Sequence, residues 1–131
     1  MQLPVKILKK AVRILIIFIF VTAVAAFCSA SAFCLLGYSF YKVESDSMRG
    51  VFEAENLIIT KKIQLNRLEI DDIIIYRREN SNMIVTHRIV GINREEKLFY
   101  TKGDRNTAED DPVPEANILG IYVRKMPFLS D

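Results

Sequence analysis

One histidine, two cysteines, five glycines, four prolines and no tryptophan are all that 131 residues contain of these types. Each scarcity closes off a class of chemistry. Both cysteines, Cys28 and Cys34, lie in one apolar run. Six positions apart on a helix, they point about 240° from each other around the axis and cannot pair together. They read as small apolar side chains. The rest of the chain has no cysteine, so no disulfide stabilises it and a zinc-type cluster lacks ligands. No metal and no cofactor is expected. The sequence also has no internal repeat, no low-complexity tract and no long linker. Charge is missing over one long stretch, because residues 14–41 contain no Asp, Glu, Lys or Arg.

That stretch is informative for what it holds. Its heart, "ILIIFIFVTAVAAFCSASAFCLLG", spans residues 14–37. As a helix it extends roughly 36 Å, enough to cross a hydrocarbon core of about 30 Å with some tilt. A transmembrane anchor is therefore expected over residues 14–38. The small residues "SASA" and a basic start also fit a cleavable signal peptide. Apolar cores of signal peptides run about 7–15 residues, whereas this one continues through "FCLLGY", which favours an uncleaved anchor. The segment 1–13 carries Lys6, Lys9, Lys10 and Arg13 and no acid. The remainder then has 18 − 4 = 14 basic against 16 acidic residues, net −2. The overall charge of +2 belongs to the N-terminus, and no nucleic-acid partner is expected. Basic residues ahead of a span favour a cytoplasmic N-terminus, placing the domain 39–131 on the extracytoplasmic face.

Beyond the span the pattern takes on strand character. "NLIITKK" (56–62), "DIIIYRR" (72–78), "MIVTHRIVGI" (83–92), "KLFYTK" (97–102) and "ILGIYVRK" (118–125) are β-branched and aromatic runs separated by turn signals. "ENSN" (79–82) and "NREE" (93–96) read as short hairpin connections. The expected fold is mainly β: a single N-terminal transmembrane helix followed by a small antiparallel β-domain.

Three stretches carry residues capable of chemistry. "VESDSMRG" (43–50) places Ser45 and Ser47 around Asp46, ordinary turn or cap material by itself. In "MIVTHRIVGI", strand alternation puts Met83, Val85, His87, Ile89 and Gly91 on one face. A lone histidine among apolar neighbours is commonly a packed residue with one satisfied hydrogen bond. "TKGDRNTAEDDPVP" (101–114), with Asp104, Asp110 and Asp111, reads as a solvated acidic loop. Together the three supply a hydroxyl, a base titrating near neutrality and a carboxylate to fix that base's tautomer.

These boxes resemble a family. "SDSM", "VTHRIV" and "TKGDRN…DD", in that order after one span, are similar to the motifs of type I signal peptidases. The likeness is to the endoplasmic-reticulum-type branch, which includes the SipW-like enzymes of spore-forming Gram-positive bacteria. The resemblance implies a serine endopeptidase that removes signal peptides from exported preproteins, cutting after small residues. It makes Ser47 the nucleophile and His87 the general base, where the larger bacterial branch has a lysine. It offers Asp110 as the histidine's partner, with Asp111 as the alternative acid and Asp104 as a support of the site. It builds the oxyanion hole from the Ser47 backbone N–H and the Ser45 hydroxyl. Implied partners are preproteins, the lipid bilayer and the secretion translocon, at the cell membrane or, in a eukaryote, the endoplasmic-reticulum membrane.

Two positions depart from the family pattern. Arg49 and Gly50 follow "SM" where a residue and proline are usual, a change that gives the serine turn more backbone freedom. Asp71 and Asp72 replace a glycine–aspartate pair. The alternative is a catalytically inactive tethered β-domain that binds or assists another peptidase. A Ser/Lys self-cleaving regulator is disfavoured, for the lysine base and a DNA-binding segment are both missing.

Overall fold

The computed structural model describes residues 4–79 and 81–126, and the chain divides after Leu36 into a helical unit and a β unit. Outside the described residues fall the first three positions of the expected segment 1–13, Asn80 in the "ENSN" connection and the last five residues of the expected domain.

Helix α1 spans Val5–Leu35. It is long and apolar enough to cross a membrane, and none of its residues is buried within the structure. A helix apolar around most of its circumference needs an apolar surrounding rather than a single packed face. The helix begins ahead of the uncharged run and includes the basic segment. Lys6, Lys9, Lys10 and Arg13 recur at i, i+3, i+4 and i+7, so they share one face. It stops at Leu35, and Tyr38, the expected end of the anchor, instead opens a strand.

The β unit is one seven-stranded antiparallel sheet built from β1 (Tyr38–Lys42), β2 (Leu57–Lys61), β3 (Ile73–Arg77), β4 (Ile84–Asn93), β5 (Leu98–Lys102), β6 (Val113–Pro114) and β7 (Ile118–Lys125). The strand order is β1-β2-β7-β3-β4-β5-β6. The expected mainly-β architecture is thus present, with β1 and the two-residue β6 added.

The central run of β3 explains where the core sits. Successive strand residues point to opposite faces, and here both faces are covered. Ile73 and Ile75 join Val43, Met48, Phe52 and Ile58 in one cluster. Ile74 and Tyr76 join Leu68, Val85, Ile89, Phe99 and Val113 in the other. Strand β4 follows the expected alternation through Val85, His87 and Ile89, all buried. The pattern breaks at its ends. Met83 precedes the strand and is exposed, and the register with β5 shifts between Ile89 and Gly91.

Candidate active site

Ser47 is held by the residue that follows it. Met48 is fully buried, and its carbonyl accepts the N–H groups of Val51 and Phe52, closing a tight turn. Asp46 braces the same turn, accepting Ala54 N–H on Oδ1 and the Arg49 guanidinium on Oδ2. Gly50 sits at φ +114°, where a Cβ is strongly disfavoured. The expectation of extra freedom at Gly50 therefore needs refining: it occupies a conformation that proline, fixed near −65°, cannot adopt.

With Met48 and the turn fixed, Ser47 Oγ lies 3.0 Å from His87 Nε2, and His87 Nδ1 lies 2.6 Å from Asp110 Oδ2. Ser45 Oγ is 3.1 Å from Ser47 Oγ. The imidazole and the Asp110 carboxylate are nearly buried, with side chains 7% and 10% exposed. Three elements therefore converge: the turn after β1, the middle of β4, and the loop between β5 and β6.

The loop that brings Asp110 is clamped at both ends. Asp110 N–H donates to the Thr101 carbonyl at 2.8 Å, and Arg105 N–H donates to the Ser47 carbonyl at 2.9 Å. Asp104 N–H reaches Met48 Sδ, while its carboxylate takes two hydrogen bonds from the Arg88 guanidinium. Those bonds, ahead of a smaller opposing effect of partial burial, hold the Asp104 carboxyl below its ordinary value and raise Arg88 further. Asp104 thus joins the loop to β4 and stands apart from the row at the imidazole. Asp111 is solvent-exposed, and the carboxylate on Nδ1 is that of Asp110. Among the described residues, no group of three histidine, cysteine or acidic side chains is placed to hold a metal.

No family model matches the chain. Signal peptidase I W of Bacillus subtilis (strain 168) is 34% identical over 126 residues, covering 93% of this chain and 66% of that protein. The chain belongs to the type I signal peptidase family, with the SipW-like members. It spans about two thirds of that relative's length.

The second departure from the family pattern, like Gly50, has a physical reading. Asp71, where the family pattern has glycine, takes φ +78°, a region glycine enters freely and aspartate tolerates better than most residues. The parts that four residues play at the site are not evident from the motifs. Arg88 pairs with Asp104, and Thr101 and Tyr76 stand behind Asp110. Gly103 is required for space: a Cβ there would come within 2.9 Å of His87 Nε2. The "KG" glycine was visible in the sequence, but its reason depends on which side of the loop the imidazole lies.

A groove of about 710 Å³ opens at Ser47 and His87. One wall comes from β1 at the sheet's edge and the segment after it. The other is residues 83–87, where β4 pairs with β3 and β5 joins only from Arg88 onward. Phe40, Met83 and Ile84 line it, each roughly half-exposed, at 49%, 53% and 42%.

Proposed function

We propose that the chain is a membrane-tethered serine endopeptidase that removes signal peptides from exported preproteins, cutting after small residues. The observation that carries this reading is the unbroken row Ser47 Oγ, His87 Nε2, His87 Nδ1, Asp110 Oδ2, at 3.0 and 2.6 Å, opening into a groove lined by residues of β1 and β4.

The chemistry follows from the row. With its Nδ1–H donated to Asp110, the imidazole presents a lone pair at Nε2, and the single Ser47 proton points there. Ser45 must then be the donor in its contact with Ser47 Oγ. As Ser47 attacks the scissile carbonyl carbon, its proton passes to Nε2. The carbonyl oxygen gains the negative charge, and the Ser47 backbone N–H and the Ser45 hydroxyl stabilise it. The intermediate collapses, the C–N bond breaks, and Nε2 returns the proton to the departing amine. Water then hydrolyses the ester by the same route, restoring Ser47.

An extended substrate segment fits between β1 and residues 83–87 as an added strand, and the apolar lining selects small side chains next to the cut. Helix α1 anchors the enzyme in the bilayer that holds the substrate's apolar segment. Sharing a membrane raises the effective concentration of the two partners. The four basic residues ahead of the span put the N-terminus in the cytoplasm and the β unit outside, beside the secretion translocon.

Both parts are tested in oriented vesicles carrying the full chain and a reporter preprotein. The wild type should cut the reporter on the extracytoplasmic side, and Ser47→Ala should leave it whole. Cleavage by the Ser47→Ala variant, or cleavage confined to the cytoplasmic side, contradicts the proposal.

A further inference from the structure

Behind the Asp110 carboxylate lies a polar pair that the reaction as derived does not use. Thr101 Oγ1 is 2.8 Å from Asp110 Oδ2 and 3.2 Å from the Tyr76 hydroxyl oxygen. Thr101 is fully buried and Tyr76 is 2% exposed. They come from different strands: Tyr76 on β3 is opposite Val85 of β4, and Thr101 on β5 is opposite Ile89 of β4. His87 lies between those two β4 residues. The pair therefore brackets the imidazole's strand from both neighbours, within a face that is otherwise Ile74, Val85, Ile89 and Phe99.

Proton counting sets the direction of these bonds. Thr101 has one hydroxyl proton and two acceptors in reach. An ionised carboxylate is the stronger acceptor and donates nothing, so the proton goes to Asp110 Oδ2. The Tyr76 hydroxyl lies against the same Thr101 oxygen at 3.2 Å, and burial, foremost, keeps that phenol protonated by pushing its pKa up to about 12. The same carboxylate oxygen thus receives Thr101 O–H from behind and His87 Nδ1–H in front. Two donors on one oxygen fix the carboxylate's rotation, where the imidazole alone would let it swing.

We propose that Thr101, backed by Tyr76, is a positioning residue that holds the Asp110 carboxylate aimed at His87 Nδ1 and so fixes the tautomer that leaves Nε2 as the base. This rests on the catalytic reading above. A purely structural Thr101 would need only to satisfy its own hydroxyl, and valine, of the same shape, would then replace it at little cost to turnover. The Asp110 N–H to Thr101 carbonyl bond is backbone, so it survives that exchange.

The test uses the full chain in detergent micelles as wild type, Thr101→Val, Thr101→Ser, Tyr76→Phe and Ser47→Ala. Thr101→Val should lower kcat about 10- to 100-fold, the loss typical of an outer hydrogen-bond partner, with KM within about twofold. Thr101→Ser should recover most of it, and Tyr76→Phe should lose less than Thr101→Val. Because the chain has a single histidine, ring-¹⁵N spectra report His87 without ambiguity. The wild type and Ser47→Ala should hold the proton on Nδ1, and Thr101→Val should show the tautomers mixed. Overturning results are a folded Thr101→Val variant with wild-type kcat and an unchanged ring spectrum, or a folded Thr101→Ser variant that recovers nothing. An inactive wild type would instead defeat the catalytic reading, while the ring spectra would still decide the role of Thr101.

Discussion

At Gly103 the requirement is for room rather than for an unusual backbone angle. An added Cβ would meet His87 Nε2 and Asn106 Nδ2, each at 2.9 Å. Both are ends of side chains, which can move aside without breaking the sheet. Gly103→Ala should therefore fold with an unfolding midpoint close to the wild type. Its activity should fall roughly 100-fold, since a displacement of about 1 Å in a reacting group can cost that much. A parallel loss of stability and activity, or no loss of either, would show that the imidazole is not confined from this side. The same reasoning marks the limit of reading residues one by one. Ser47, His87 and Asp110 could be picked out as candidates because their stretches resemble the family's motifs; types and order alone do not single them out, and the motifs offer Asp104 and Asp111 beside Asp110. Gly103, Thr101 and Tyr76 could not, because their importance arises from neighbours that only strand register supplies. Ser47 and His87 are 40 positions apart, and Thr101 and Tyr76 are 25 apart.

At the level of elements, strands with β-branched alternation and bounded by turns were legible: β2, β3, β5 and β7 fall within the quoted runs, and β4 overruns its run by one residue, Asn93, the first of the expected "NREE" connection. Strand β1 was not, because "YSFYK" follows directly on the apolar run and has no β-branched residue to signal a change of period. Strand β6 is two residues and includes a proline, a weak strand signal by composition. The loop between β5 and β6 depends on Arg88, whose side chain leaves β4 on the face opposite His87 and grips Asp104. This pair makes a pH prediction. The Asp104 pKa is depressed in the folded state by the Arg88 hydrogen bonds, foremost. Its contribution is therefore present above the unfolded value, about 4, and is lost as the pH falls through the depressed one. Thermal unfolding in detergent should show a wild-type acid loss part of which is missing from Asp104→Asn. At neutral pH that variant should be less stable by no more than about 1 kcal/mol, the range for partly exposed pairs. Identical acid profiles for the two would mean the ion pair does not hold the loop.

For the molecule as a whole, the two units answer different parts of the problem. Helix α1 has the length and hydropathy of a membrane span, and the sheet gathers Ser47, His87 and Asp110 from three separate segments. The central claim is that Ser47, His87 and Asp110 act as one unit rather than as three independent helpers. Groups that act in a single step are strongly non-additive, so removing two costs about as much as removing one. The decisive measurement is kcat/KM of the purified full chain on a signal-peptide substrate for Ser47→Ala, His87→Ala and the double variant. The account predicts that each single change abolishes nearly all cleavage and that the double variant is no worse than either. Losses that multiply, or a single variant that keeps substantial cleavage, would contradict it.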